Sequence, residues 1–153
     1  MSLVYRKANL SEIPTLVMFR KQQLIDEGQQ PNFDADNTFT DYFTKCFDND
    51  SLVQYVAIDG TKIAATGGVH FYSCPPSYRN PTGKIAYIAG MYTLPCFRGR
   101  GIATIILKHL IEEARRRNYN VVRLHASPQG RPVYEKMGFI HANGFMTLHL
   151  PGE

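Results

Sequence analysis

The segment Arg98-Gly99-Arg100-Gly101-Ile102-Ala103 puts two glycines and two arginines where an extended apolar run stops and a helical apolar period starts. The first turn of a helix carries N–H groups that nothing inside the helix can satisfy. Together with the positive end of the helix dipole and two guanidiniums, those donors make an anion site. Glycine has no Cβ to keep a bulky anion away from the main chain. These residues predict a phosphate or pyrophosphate bound at the start of a helix beginning near Gly101. A nucleoside-triphosphate loop would need Lys-Ser or Lys-Thr after its last glycine, and Ile102-Ala103 stands there instead. A dinucleotide fingerprint would need three glycines after an early strand; Gly99-x-Gly101-x-x-Thr104 comes late and lacks the third.

The elements that must position this loop follow from periodicity. Val4 to Lys7 reads as a first strand. Ser11 is a good N-cap for a helix whose stripe is Ile13, Leu16, Val17 and Leu24, stopping at Gly28. After a loop over residues 29–37, Phe39, Tyr42, Phe43 and Phe47 form a second helical stripe. Leu52 to Ile58 and Lys62 to Tyr72 flank Asp59-Gly60 as a hairpin, and Ile85 to Thr93 is a further strand. Ile102, Ile105, Ile106, Leu110 and Ala114 keep helical period up to Arg115-Arg116-Arg117. Val121 to Ala126 reads as a strand, a short helix ends at Met137-Gly138, and Phe145 to Leu150 reads as a last strand. This order predicts a single α/β domain over residues 1–153.

Charge is unevenly spread. Of the acids, Asp26, Glu27, Asp34, Asp36, Asp41, Asp48 and Asp50 crowd into one short segment, while the bases gather from Arg98 onward. One half is suited to an anionic ligand and the other to a cationic one. No aromatic platform is interleaved with the bases, so nucleic acid is not expected as a partner. No apolar run reaches membrane-span length, so no membrane association is expected. Cys46, Cys74 and Cys96 are odd in number and widely spaced, with no metal-ligand pattern; they read as free thiols of a cytoplasmic protein.

Arg98-x-x-Gly101-x-Ala103 resembles the acetyl-CoA pyrophosphate loop of the GNAT N-acetyltransferase superfamily. Ala86-Tyr-Ile-Ala-Gly-Met-Tyr-Thr-Leu-Pro95 looks like that family's preceding cofactor strand, and Leu124-His-Ala-Ser127 like the next strand and its exit. Val133-Tyr134-Glu-Lys-Met-Gly-Phe139 is similar to the family's Leu-Tyr-Glu-Lys-x-Gly-Phe signature, so the match runs over residues 85–139. The resemblance implies a mixed, mostly antiparallel sheet of six to seven strands with a central parallel pair, flanked by about four helices. It implies transfer of an acetyl group from acetyl-CoA to a primary amine without a covalent enzyme intermediate, and with no metal.

Carried over by position, the backbone of Met91, Tyr92 and Thr93 would pair with the pantetheine arm, at a bulge for which Gly90 is a permissive residue. Amides of Arg98, Gly99, Arg100, Gly101, Ile102 and Ala103 would hold the pyrophosphate, with the Thr104 hydroxyl added. Ser127 would reach a cofactor amide or, with Pro128 after it, cap the next helix. Tyr134 would protonate the departing thiolate as general acid. Many relatives carry a carboxylate on the cofactor strand, but Ile85 to Thr93 has no Asp or Glu. His125 and His70 are the neutral-pH titrators left for the base role, beside a water chain or no protein base at all.

The acceptor would lie over the two N-terminal helices and their loop, where Asp26, Glu27, Phe33 and Asp34 suggest a cationic amine with an apolar part. A polyamine, an amino-acid amide, an amine-bearing antibiotic, and a protein lysine or N-terminus all meet that description. A non-catalytic acyl-CoA-binding or sensing domain, or a transferase of another acyl group, is the alternative reading. The edge of the Phe145 to Leu150 strand suggests pairing across a homodimer. Cys96 precedes the loop at a position where relatives often carry Glu, and reads as a tolerated loop residue or as a redox-sensitive thiol in positive surroundings.

Overall fold

The computed structural model describes residues 2–142 and 144–152. The helices are α1 (Ile13–Asp26), α2 (Asp36–Asp48), α3 (Ile102–Arg116) and α4 (Arg131–Lys136). The strands are β1 (Val4–Lys7), β2 (Leu52–Asp59), β3 (Lys62–Ser73), β4 (Lys84–Thr93) and β5 (Val122–Leu124). They form one sheet in the order β1-β2-β3-β4-β5, antiparallel except for the β4–β5 pair.

Two expectations are corrected here. Among the described residues the sheet has five strands, not six to seven, because residues 145–150 form no strand. The parallel pair therefore lies at the edge of the sheet, not at its centre. Phe145, Met146, Leu148 and Leu150 are exposed, so their alternation finds no face to cover, and the strand edge invoked for dimer pairing is not formed.

The two faces of the sheet divide the labour. Val53, Tyr55, Val69, Phe71, Ala86 and Ile88 pack against Ile106, Leu107 and Leu110 of α3 on one face. Ile13, Leu16 and Val17 of α1 and Phe43 of α2 cover Leu52 and Val56 on the other. Covered on both faces, β2 is buried over six successive residues, which explains a run that is apolar but for Gln54. Among the described residues no helix is long and apolar enough to cross a membrane.

The chain enters α1 differently from the expected Ser11 cap. A 3-10 turn at Leu10–Glu12 comes first, and Asn9 with Glu12 forms its capping box. The Glu12 carboxylate takes the Asn9 N–H at 2.9 Å and both guanidinium arms of Arg6 at 2.6 and 2.9 Å. A reciprocal cap of this kind satisfies two otherwise orphaned donors, which a lone serine cannot do.

Glu113 is the buried charge of the α3 face, at 5% exposure. Burial alone would push its carboxyl pKa up, but hydrogen bonds from Arg116 and Lys7 outweigh that and hold it below the usual carboxylate range. A carboxylate favoured in this way stabilises the fold above its unfolded pKa, and the contribution is lost as pH falls through the lowered folded value. Glu113→Gln is expected to cost about 1–2 kcal/mol at pH 7. The deficit should vanish in acid, as read by urea unfolding of both proteins across pH 3–7; a deficit independent of pH would refute this account.

Candidate active site

The fourth strand is where the sheet breaks its own rule. β4 pairs with β5 only from Ala86 to Ile88, so Ala89 to Thr93 have no strand neighbour on that side. On the other side the β3–β4 register slips between Thr66 and Gly68, leaving Gly90 and Met91 as the extra length opposite Gly67. Gly90 has φ +68°, the left-handed conformation that an inserted residue needs and that glycine adopts without strain. Gly67 makes room beneath: a Cβ there would stand 2.3 Å from the Met91 sulfur and 2.9 Å from Ile106. Unpaired N–H and C=O groups on an open strand edge are a template for an extended, amide-bearing ligand.

Downstream of this edge a cleft of about 750 Å³ opens between β4, the start of α3 and the β5–α4 connection. Met91, Tyr92, Thr93, Arg98, Gly99, Gly101, Ile102, Ala103, Thr104, Ser127 and Tyr134 all line it, so one space collects nearly every residue expected to hold the donor. Gly101 sits at the N-cap of α3 with φ +77°, and Gly99 has φ +78°. The main-chain N–H groups from Gly99 to Thr104 have no hydrogen-bond partner among the described residues, and the helix ladder begins with Ile105. These are the open donors an anion requires.

The arginines play different parts from their backbone. Arg98 turns back onto the strand: its Nε donates to the Thr93 carbonyl at 2.8 Å, and a guanidinium nitrogen lies 3.8 Å from Asp26. Arg100 donates to the Cys96 carbonyl at 3.2 Å, stacks over Phe97, and does not line the cleft. Ser127 lines the cleft, and its Oγ accepts the Gly130 N–H at 3.1 Å in the turn leading to α4; the N-cap of that helix is Gly130, not Ser127 as one expectation had it.

Tyr134 lines the cleft, against Gly130 and edge-on to Phe139 at 6.0 Å. Burial, then the negative charge of Glu27, pushes its phenol pKa up, so it stays protonated at neutral pH. His125 lines the same cleft and meets Tyr87 edge-on at 5.9 Å. His70 stands apart on β3, beside Tyr42 Oη at 3.4 Å, and burial lowers its pKa so that it is neutral at pH 7. The two histidines are therefore on different walls.

The acceptor-side acids are split as well. Asp26 and Glu27 line the same cleft, whereas Phe33 and Asp34 are exposed on the α1–α2 loop and line neither it nor the cavity on the other side of the bulge. Arg20, Gln23 and Glu27 form a polar stripe along α1: Arg20 donates to Gln23 at 3.0 Å and Gln23 donates to Glu27 at 3.1 Å. Sequence reasoning missed Arg20, Gln23, Gln54 and Tyr87. Three- and four-residue spacing could have signalled the stripe, and the adjacent glycines 67 and 68 inside a strand signalled the bulge.

Comparison with known proteins points one way. Residues 18–139 match the family model described as Acetyltransferase (GNAT) family. A predicted acetyltransferase from Clostridium acetobutylicum, whose crystal structure contains acetyl-CoA, is 44% identical, with 97% of this chain and 96% of that one covered and a TM-score of 0.93. A GCN5-related N-acetyltransferase from Ralstonia eutropha JMP134 shares the fold at 21% identity and a TM-score of 0.90, over 97% of this chain and 99% of the other. Glucosamine-6-phosphate N-acetyltransferase from Arabidopsis thaliana shares it at 21% identity and a TM-score of 0.76, over 99% and 100%. No curated protein matches the chain.

Proposed function

Because the chain belongs to the GNAT acetyltransferase family, we propose that it moves the acetyl group of acetyl-CoA onto a primary amine by direct attack, with Tyr134 as general acid. The observation that carries this reading is the joining of three features in one cleft. They are an open strand edge at Met91 to Thr93, partnerless amides at Gly99 to Thr104, and a protonated phenol at Tyr134. The edge suits the amides of a pantetheine arm, and the helix start suits a pyrophosphate. These supports cover the main chain from Gly99 to Thr104 but not the Arg98 N–H, which donates to the Pro95 carbonyl at 3.3 Å; the Arg98 side chain orders the loop through Thr93 and Asp26.

In the reaction the amine lone pair forms a C–N bond to the acetyl carbonyl carbon, and the C–S bond breaks. Sulfur leaves with the bonding pair and takes the Tyr134 proton, while the new amide nitrogen gives up one. An alkyl ammonium has a pKa near about 10, so a base must clear its proton at neutral pH. His125 fills that role in this reading, since it shares the cleft with Tyr134; His70, on the acceptor side, is the second candidate. We expect His125→Ala to remove the acid limb of the pH–rate profile. An intact limb in His125→Ala that disappears in His70→Ala would transfer the role to His70.

The test of the reading as a whole pairs calorimetry with thiol release. Acetyl-CoA should bind, and CoA thiol should appear with some member of an amine library. Binding without thiol release from any amine would favour the acyl-CoA-sensing alternative, and release from a longer acyl-CoA in preference to acetyl-CoA would change the donor. The acidic segment suggested a cationic acceptor, and within the cleft Asp26 and Glu27 are suited to draw in the ammonium end of one.

A further inference from the structure

A second cavity, of about 280 Å³, lies across the bulge from the donor cleft, roofed by α1 and α2 and floored by the sheet. Its floor includes Ala89 and Gly90, the residues immediately before Met91 to Thr93 of the donor cleft, so consecutive residues of the bulged strand line the two spaces. Phe39, Tyr42 and Phe43 supply an aromatic wall. Burial holds the Tyr42 phenol at a pKa of about 12, so that ring contributes no charge.

Arg20 is the one charged residue lining this cavity among the described residues. Its recorded hydrogen bond goes to the neutral Gln23 amide, and it forms no ion pair among the described residues. A guanidinium has five N–H donors in a planar fork that matches a carboxylate, and an apolar surround strengthens such a pair. The acids that suggested a cationic acceptor are elsewhere: Asp26 and Glu27 line the donor cleft, and Asp36 is paired with Lys21 at 2.6 Å.

Gln54 is the other polar group. It is only 5% exposed, and its orientation follows from its partners. The Thr66 hydroxyl gives its single proton to the Tyr55 carbonyl at 2.7 Å, so it must accept from the Gln54 Nε2 at 2.9 Å. That leaves the Gln54 carbonyl oxygen and its second N–H without a partner among the described residues. Nε2 lies 3.7 Å from where a Cβ on Gly90 would stand, so this amide sits at the bulge end of the cavity.

We propose that this cavity is the acceptor site, and that it selects a small primary amine carrying an apolar body and a carboxylate. Arg20 takes the carboxylate, the aromatic wall takes the body, and Gln54 holds the amine end beside the bulge. The inference rests on the transferase reading above. It replaces a wholly cationic acceptor with one that is cationic only at its reacting nitrogen.

The test compares matched pairs as acceptors with acetyl-CoA: L-phenylalanine against 2-phenylethylamine, L-leucine against 3-methylbutylamine, 6-aminohexanoate against pentylamine, with spermidine added. The best substrate should carry a carboxylate, and its decarboxylated partner should be about tenfold or more worse in kcat/KM. Arg20→Gln should bring that pair within about twofold, Arg20→Lys should keep the preference, and acetyl-CoA affinity should be the same in both variants, certifying their fold. A measurement needing no variant is inhibition of the wild type: 3-phenylpropionate should compete with the amine, and 3-phenylpropanol should not. Spermidine or a decarboxylated amine as best substrate, a preference unchanged in Arg20→Gln, or equal inhibition by acid and alcohol would each overturn the proposal. Acetyl-CoA binding without turnover of any amine would instead overturn the transferase reading, and this one with it.

Discussion

Tyr134→Phe should lower kcat at least about tenfold while acetyl-CoA affinity moves by less than about threefold, since general acid–base catalysis by one side chain contributes on the order of a hundredfold or more. The substitution removes one oxygen and keeps the ring that packs against Gly130 and Phe139, so the cleft keeps its shape. The raised phenol pKa sets the sign of the pH dependence. The acid form is the competent one, so Tyr134 loses its proton only above the ordinary tyrosine range and imposes no basic limb near neutrality. Steady-state kinetics with calorimetry on the same preparation would decide it: turnover close to wild type would remove Tyr134 from the mechanism.

Gly101→Val should weaken acetyl-CoA binding by about tenfold or more, because a left-handed backbone costs an L-residue about 1–2 kcal/mol and a β-branched one more. No atom obstructs a Cβ at this position, so the penalty lies in φ +77° itself. The loop escapes it by rotating, and rotation re-aims the amides at Ile102 and Ala103 away from their common focus. Turnover at saturating acetyl-CoA should hold within about twofold, because Tyr134 is on a different element. An unchanged calorimetric Kd would show that the main chain of this loop does not carry the phosphates.

Much of this arrangement was legible in the residues. The order of elements was readable because each α-helical stripe and each strand run has a face to cover, and both faces of the sheet are in use. The donor cleft was readable because most of its lining falls within residues 91–134, where glycines carry the special backbone angles. The acceptor cavity was not, since Arg20, Tyr42, Gln54 and Gly90 come from four elements and only tertiary packing brings them together. Counting acids along residues 26–50 suggested their charge without their direction, and they point into other spaces. The last strand failed for a related reason: alternation at Phe145 to Leu150 states a preference, and pairing needs a neighbour with a free edge in register.

The joining of β1 to β2 across residues 8–51 has a consequence for how the molecule opens. β2, β3 and β4 are neighbours along the chain, and α3 locks their far face. Closing the long span onto β1 costs on the order of 3 kcal/mol in chain entropy, far more than the two-residue turn between β2 and β3. Both α1 and α2 lie inside that span. Amide protons of the three-strand meander and α3 should therefore be the slowest to exchange, with those of β1, α1 and α2 released earlier as one unit. The strand edge at Met91 to Thr93 and the start of α3 thus belong to the unit that opens last, and the cavity roofed by α1 and α2 to the one that gives way.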